Sequence, residues 1–139
     1  MTKRVLIVDD ETNVVGLLRE FFARFQHGHS YEVRSAHSVA DALDILQREQ
    51  FDLILLDMVM PLTGAPRWPG DEGLNLLKRV RDLGVKAPVF MMSGAWDTQK
   101  EAEVLIEGAV GYLRKPFELR ELDRLVALAL GFGSRAPGG

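Results

Sequence analysis

"RVLIVDDET", residues 4–12, runs four apolar residues, Val5 to Val8, directly into Asp9, Asp10 and Glu11. A short, continuously apolar run is the mark of a strand covered on both faces. Ending such a strand in three carboxylates is costly unless something positive meets them, because like charges crowded together oppose one another's ionisation.

The rest of the chain repeats the apolar run at intervals. Residues 31–36 (more weakly), 53–56, 88–92 and 109–113 are each the length of a strand. Helical patterns separate them: Val14, Leu18, Phe21 and Phe25 step by four, three and four and so share one helix face. Val39, Ala42, Leu43 and Leu46 repeat that pattern, as do Leu74, Leu77 and Val80, and later Leu119, Leu122, Leu125 and Val126. Ser38 or Ser35 is placed to cap the second helix. Residues 97–107 form the weakest helix, with Ala102, Leu105 and Ile106 as its apolar stripe. Five strands alternating with five helices predict right-handed βαβ crossovers and a parallel sheet between two helical layers.

Composition narrows the function. The 139 residues predict one domain over residues 1–130, with residues 131–139 as a flexible tail or the start of a linker. A formal net charge of −3 gives no footprint for direct binding to nucleic acid or to an anionic membrane. The absence of cysteine excludes disulfides, thiolate catalysis and cysteine-ligated metals. No stretch is apolar enough to span a bilayer, and Asp9 and Asp10 interrupt any signal-peptide core, so a cytoplasmic location is expected.

In open parallel sheets, ligands bind beyond the carboxyl ends of the strands. Those ends carry Asp9 and Asp10 after the first strand, Asp57 after the third, Ser93 after the fourth and Lys115 just past the fifth. Magnesium is the natural partner for the carboxylates, since it takes oxygen ligands and is typically held by one or two carboxylates plus phosphate oxygens. An aspartate beside such a metal is a candidate nucleophile toward phosphorus, and the Lys115 ammonium and Ser93 hydroxyl are suited to neutralise the transferred oxygens.

Taken together and in order, "VLIVDDE", "DLILLDMVMP", "MMSG" and "GYLRKPF" resemble the receiver domains of two-component response regulators, the CheY-like superfamily, across residues 3–130. The resemblance implies a flavodoxin-like, doubly wound five-stranded sheet in the order 2-1-3-4-5 within a three-layer α/β/α sandwich. It implies Asp57 as phosphoacceptor, and Asp9 and Asp10 as the acid pair for Mg2+ or Mn2+, with Asp10 the direct ligand. The backbone carbonyl of Val59 completes the protein's share of the coordination. Ser93 and Lys115 then contact the phosphoryl group, Ser93 and Tyr112 act as switch residues, and Lys115-Pro116 is the family's cis peptide bond. The implied partners are a sensor histidine kinase or histidine phosphotransfer protein, an unidentified downstream effector and, on phosphorylation, a second copy of the chain. The implied chemistry is self-phosphorylation and self-dephosphorylation, with no other enzymatic turnover, driving a switch in the surface of the fourth helix, fifth strand and fifth helix.

Each string has an ordinary alternative when read singly: acids at a helix N-terminus, a loop aspartate, a Ser-Gly turn, a surface lysine before a helix. Those alternatives do not predict that all five positions fall at strand ends. A haloacid-dehalogenase-type phosphatase would show "DxD" at its nucleophile, whereas Asp57 is followed by Met58 and Val59. A flavodoxin-type flavin binder would present hydroxyls and amides where "DDET" presents charge. A receiver acting as a phosphorylation-independent binding module is the third alternative. His27, His29 and His37 read as a polar turn and its surroundings rather than as a metal cluster. The loop after Pro61 departs from the family, since Gly73 comes twelve positions later and leaves about eight extra residues around "LTGAPRWPGDE". Trp68 in this insertion is expected to pack over the site or to serve a partner surface. Val59 and Ala95, two positions after Asp57 and Ser93, offer no side chain to orient water, so slow dephosphorylation is expected.

Overall fold

A computed structural model describes residues 2–58, 72–94 and 98–131. The elements run β1 (Thr2–Val8), α1 (Thr12–Arg24), β2 (Ser30–Ala36), α2 (Val39–Arg48), β3 (Leu53–Asp57), α3 (Glu72–Asp82), β4 (Val89–Ser93), α4 (Thr98–Ile106), β5 (Gly111–Arg114) and α5 (Leu119–Ala129). All neighbouring strands pair in parallel, in the order β2-β1-β3-β4-β5. Among the described residues no helix is long and apolar enough to cross a membrane.

The unbroken apolar strands have a direct cause. Successive side chains alternate between faces, and each face packs against helices. Leu6, Val8, Ile54, Leu56, Val89 and Met91 meet α2, α3 and α4 on one side. Val5, Ile7, Leu53, Leu55, Phe90 and Met92 meet α1 and α5 on the other. Ser38 is the residue that caps α2, its hydroxyl accepting from the backbone N–H of Asp41 (3.1 Å).

Two helix faces differ from the sequence expectation. The buried line of α1 runs through Val15, Leu18 and Phe22, with Val14 and Phe21 on its flank. Leu18 and Phe25 fit both stripes, so periodicity alone does not say which neighbours lie at the centre of the contact. In α4 the expected stripe is on the outside: Val104 is fully buried, whereas Leu105 is 44 % and Ile106 83 % exposed. The helix is short, and Val104, its fully buried residue among those described, is one that the stripe omitted.

His27 lies between β2 and α5. Its Nδ1 stands 2.5 Å from the Tyr31 hydroxyl and its Nε2 2.6 Å from Asp123 Oδ1. A neutral imidazole satisfies both contacts by accepting from Tyr31 and donating to Asp123. Burial, reinforced by the Asp123 charge, raises the Tyr31 pKa and keeps the phenol protonated. His37 lies at the other end of β2, so the three histidines form no cluster.

Two glycines are required by close approach. A Cβ on Gly73 would sit 2.5 Å from Met58 Cα, and one on Gly111 would sit 2.6 Å from Phe90 Cε1. The first is the more consequential, because Gly73 N donates to Met58 O (3.0 Å), tying the start of α3 to the residue after Asp57.

Gly73→Ala is expected to destabilise the fold by about 1–3 kcal/mol, as overpacking of a tight contact does, read from urea unfolding midpoints. Glu49 supplies a pH prediction. Its hydrogen bonds to Arg34 and Arg4 hold its carboxyl down at about 2, from an ordinary 4.5. A depressed folded pKa stabilises above the unfolded value and loses that contribution as pH falls through the folded one. Glu49→Gln will therefore lower the thermal midpoint at pH 6, and the difference from the parent will shrink as pH falls from about 4.5 and disappear only below about pH 2.

Candidate functional site

The ladder brings the acidic residues together. Val8, the last residue of β1, pairs with Leu56 of β3, so the next residues on these adjacent strands, Asp9 and Asp57, emerge side by side. Asp9, Asp10 and Asp57 each place a carboxylate oxygen within 4.8 Å of the other two. Asp9 is fully buried and Asp57 is 4 % exposed, while Asp10 faces solvent.

Buried carboxylates need partners. Asp9 Oδ1 accepts from the backbone N–H of Glu11 (2.9 Å), and Asp9 Oδ2 accepts from Lys115 Nζ (2.8 Å). The same ammonium donates to Asp57 Oδ2 (3.2 Å) and to Glu11 Oε1 (3.1 Å). Burial works against the Lys115 charge, but the bond to Asp9 and the charges of Asp57 and Asp9 outweigh it and raise the pKa above the ordinary lysine value. Lys115 is thus a fixed positive charge at neutral pH. Its backbone N–H donates to Ser93 O (2.8 Å), and the Lys115–Pro116 peptide bond is cis.

The other sequence-predicted positions fall around this centre. Ser93 is buried as the last residue of β4, opposite Arg114 of β5. Tyr112 pairs with Met91, is half-buried and packs against the core layer of α2, α3 and α4. Val59 and Ala95 lie outside the described residues, as does the insertion with Trp68. Asp10 makes no hydrogen bond or ion pair among the described residues, so both its oxygens remain available.

This donor set fits a hard divalent cation. Three carboxylates converge, one of them open to solvent, and among the described residues no histidine or cysteine joins them, which suits magnesium or manganese rather than a softer metal. With such an ion present, a carboxylate, an ammonium and a buried hydroxyl at adjacent strand ends are the groups that phosphoryl transfer to aspartate requires.

Three contacts were not legible in the sequence. Glu11 was visible as a third acid, but its bond to Lys115 joins residues 104 positions apart. His37 Nδ1 donates to Asp9 O (3.3 Å), which no spacing signals. Gly73 was recognised by its place before "LNLL", yet its contact with Met58 depends on how the preceding loop closes.

Comparison with known proteins agrees with the geometry. The family model of the response regulator receiver domain matches residues 5–127. Over 128 residues the chain is 34% identical to the response regulator protein PilR of Pseudomonas aeruginosa, a match spanning 92% of this chain and 26% of that protein. It is 36% identical over 120 residues to the protein PetR of Rhodobacter capsulatus, spanning 85% of this chain and 44% of that one. The chain therefore spans less than half the length of these curated relatives. Among solved structures, the receiver domain of the Francisella response regulator 1452 superposes with a TM-score of 0.77 at 26% identity, covering 93% of this chain and 97% of that one. The convergent acids, the lysine between them and the family match together place this chain in the response regulator receiver domain family.

Proposed function

We propose that Asp57 accepts a phosphoryl group from the phosphohistidine of a sensor kinase or phosphotransfer protein, with Mg2+ or Mn2+ held by Asp9, Asp10, Asp57 and the Val59 carbonyl. The observation that carries this reading is the Lys115 ammonium in contact with both Asp9 and Asp57. An Asp57 carboxylate oxygen attacks phosphorus, the P–N bond to the donor imidazole breaks, and an acyl phosphate forms. When bound, the divalent ion neutralises charge on the phosphoryl oxygens. Lys115 supplies a second, permanent positive charge, and the Ser93 hydroxyl donates a hydrogen bond to a phosphoryl oxygen. Beyond forming and losing its own acyl phosphate, the chain turns over no substrate.

The consequence is a switch. A phosphoryl group on Asp57 draws Ser93 and Lys115 toward it, and α4 is the element most easily displaced, with Val104 as its fully buried residue among those described. Leu105, Ile106 and Val110 are exposed on that side, an apolar surface for an effector or a second copy of the chain. Tyr112, packed beside α4 on β5, is placed to change rotamer with it. With Val59 and Ala95 two positions after Asp57 and Ser93 in the sequence, neither able to orient water, the phosphorylated form is expected to be long-lived.

The same reading gives the donor protein an apolar approach to the site. A cleft of about 440 Å³ beside Lys115 and Glu11 is lined by Val14 and Leu17 of α1 and by Pro116 and Phe117. Leu17 is 37 % exposed there.

Two experiments test this function. Intact mass after incubation with Mg2+ and acetyl phosphate should show one added phosphoryl group on the parent protein and none on Asp57→Asn; addition to both would move the acceptor elsewhere. Leu17→Arg should slow transfer from a phosphohistidine-bearing protein at least roughly tenfold, as loss of a central docking anchor does, while leaving the acetyl phosphate rate within about twofold. Equal loss with both donors would count against the cleft as a docking surface.

A further inference from the structure

Glu11 stands at the N-cap of α1 but does not cap it: no side-chain bond reaches the helix's first-turn N–H groups. That position favours Ser, Thr, Asp or Asn, whose short side chains reach those groups. The Glu11 carboxylate turns instead to Lys115 Nζ at 3.1 Å. The ammonium has three hydrogens, and its three carboxylate partners are Asp9, Glu11 and Asp57. These partners differ in how firmly they hold. Asp9 is buried at 2.8 Å, Asp57 is itself the acceptor, and the Glu11 side chain is 61 % exposed.

A phosphoryl group on Asp57 brings several acceptor oxygens and further negative charge toward Lys115, whose hydrogens are already committed. One bond must yield, and the exposed Glu11 bond is the least firmly held. We propose that Glu11 is a positioning residue for Lys115, holding the ammonium in the unphosphorylated protein and competing for it with the incoming phosphoryl group. Glu11 thereby sets the affinity of the site for a phosphoryl group below what Asp9, Asp57 and Lys115 alone would give. The inference rests on Asp57 being the phosphoacceptor. It adds a role for a residue whose local helix chemistry is sacrificed for this contact, as local rules often are at functional sites.

The test uses the full chain with Mg2+ and beryllium trifluoride, a non-covalent stand-in for the phosphoryl group, titrated by amide NMR. Glu11→Gln removes the charge at equal length, and Glu11→Asp keeps the charge but withdraws it from Lys115. Both variants should bind the beryllium complex roughly two- to fivefold more tightly than the parent, the range expected for releasing one exposed ion pair. In the metal-free proteins both should shift the Lys115 Nζ resonance, a readout independent of phosphorylation. Unchanged or weaker binding by Glu11→Gln would overturn the proposal. So would parent-like binding by Glu11→Asp beside tighter binding by Glu11→Gln, since general charge rather than contact would then be responsible. If the parent fails to bind the complex while Glu11→Gln still shifts Lys115, the phosphoacceptor reading falls and takes this role with it, although the contact itself stands.

Discussion

The contact between the Lys115 ammonium and the carboxylates of Asp9 and Asp57 governs the site, because it sets one positive charge against two buried acids on adjacent strand ends. Removing one partner from a buried ion pair leaves an uncompensated charge, which costs more than the pair contributes when intact. One lysine is also too little for the acids it faces. Asp9, Glu11 and Asp57 all touch it, and Asp10 lies beside them with no bond to its carboxylate among the described residues. A divalent cation would neutralise this surplus negative charge and, in the function proposed above, hold a phosphoryl group beside Asp57.

Parallel pairing makes this arrangement possible at low cost elsewhere. Every strand points its carboxyl end to the same edge, so the apolar segments of β1, β3 and β4 deliver their polar ends to one place while their two faces stay buried. The register of β1 on β3 sets Asp9 beside Asp57, and the β4–β5 ladder brings Ser93 level with Arg114, one residue before Lys115. Gly73 then lets α3 begin against the backbone after Asp57. α4 follows β4, the strand paired with β3 on the side away from β1.

What could be read in the sequence follows from this division. The cores of β1, β3 and β4 are legible because two-sided burial leaves no polar position inside them, whereas β2, with exposed Glu32 and Arg34, reads more weakly, and the strand-end acids, hydroxyl and lysine are legible because nothing structural requires them there. Helix faces were less so. In α1, Leu18 and Phe25 satisfy two adjacent stripes, and the choice of Val15 and Phe22 as its centre is made by the sheet and α5 rather than by the helix. In α4, the apolar pair Leu105 and Ile106 faces outward while Val104 packs inward, a choice made by the neighbouring core rather than by the helix's own pattern. The bond between Glu11 and Lys115 was hidden for a different reason: it joins the two ends of the chain, and only the folded sheet brings them together.

The central claim is that the crowded acids are held in a state that a divalent cation relieves. Urea unfolding of the full chain with and without Mg2+ measures this directly, since an ion that binds only the folded state stabilises it by about 2.7 kcal/mol at a hundredfold excess over its dissociation constant. The account predicts a midpoint that rises with Mg2+ concentration in the parent protein and no such rise in Asp10→Asn. A midpoint indifferent to Mg2+, or an equal rise in both proteins, would contradict it.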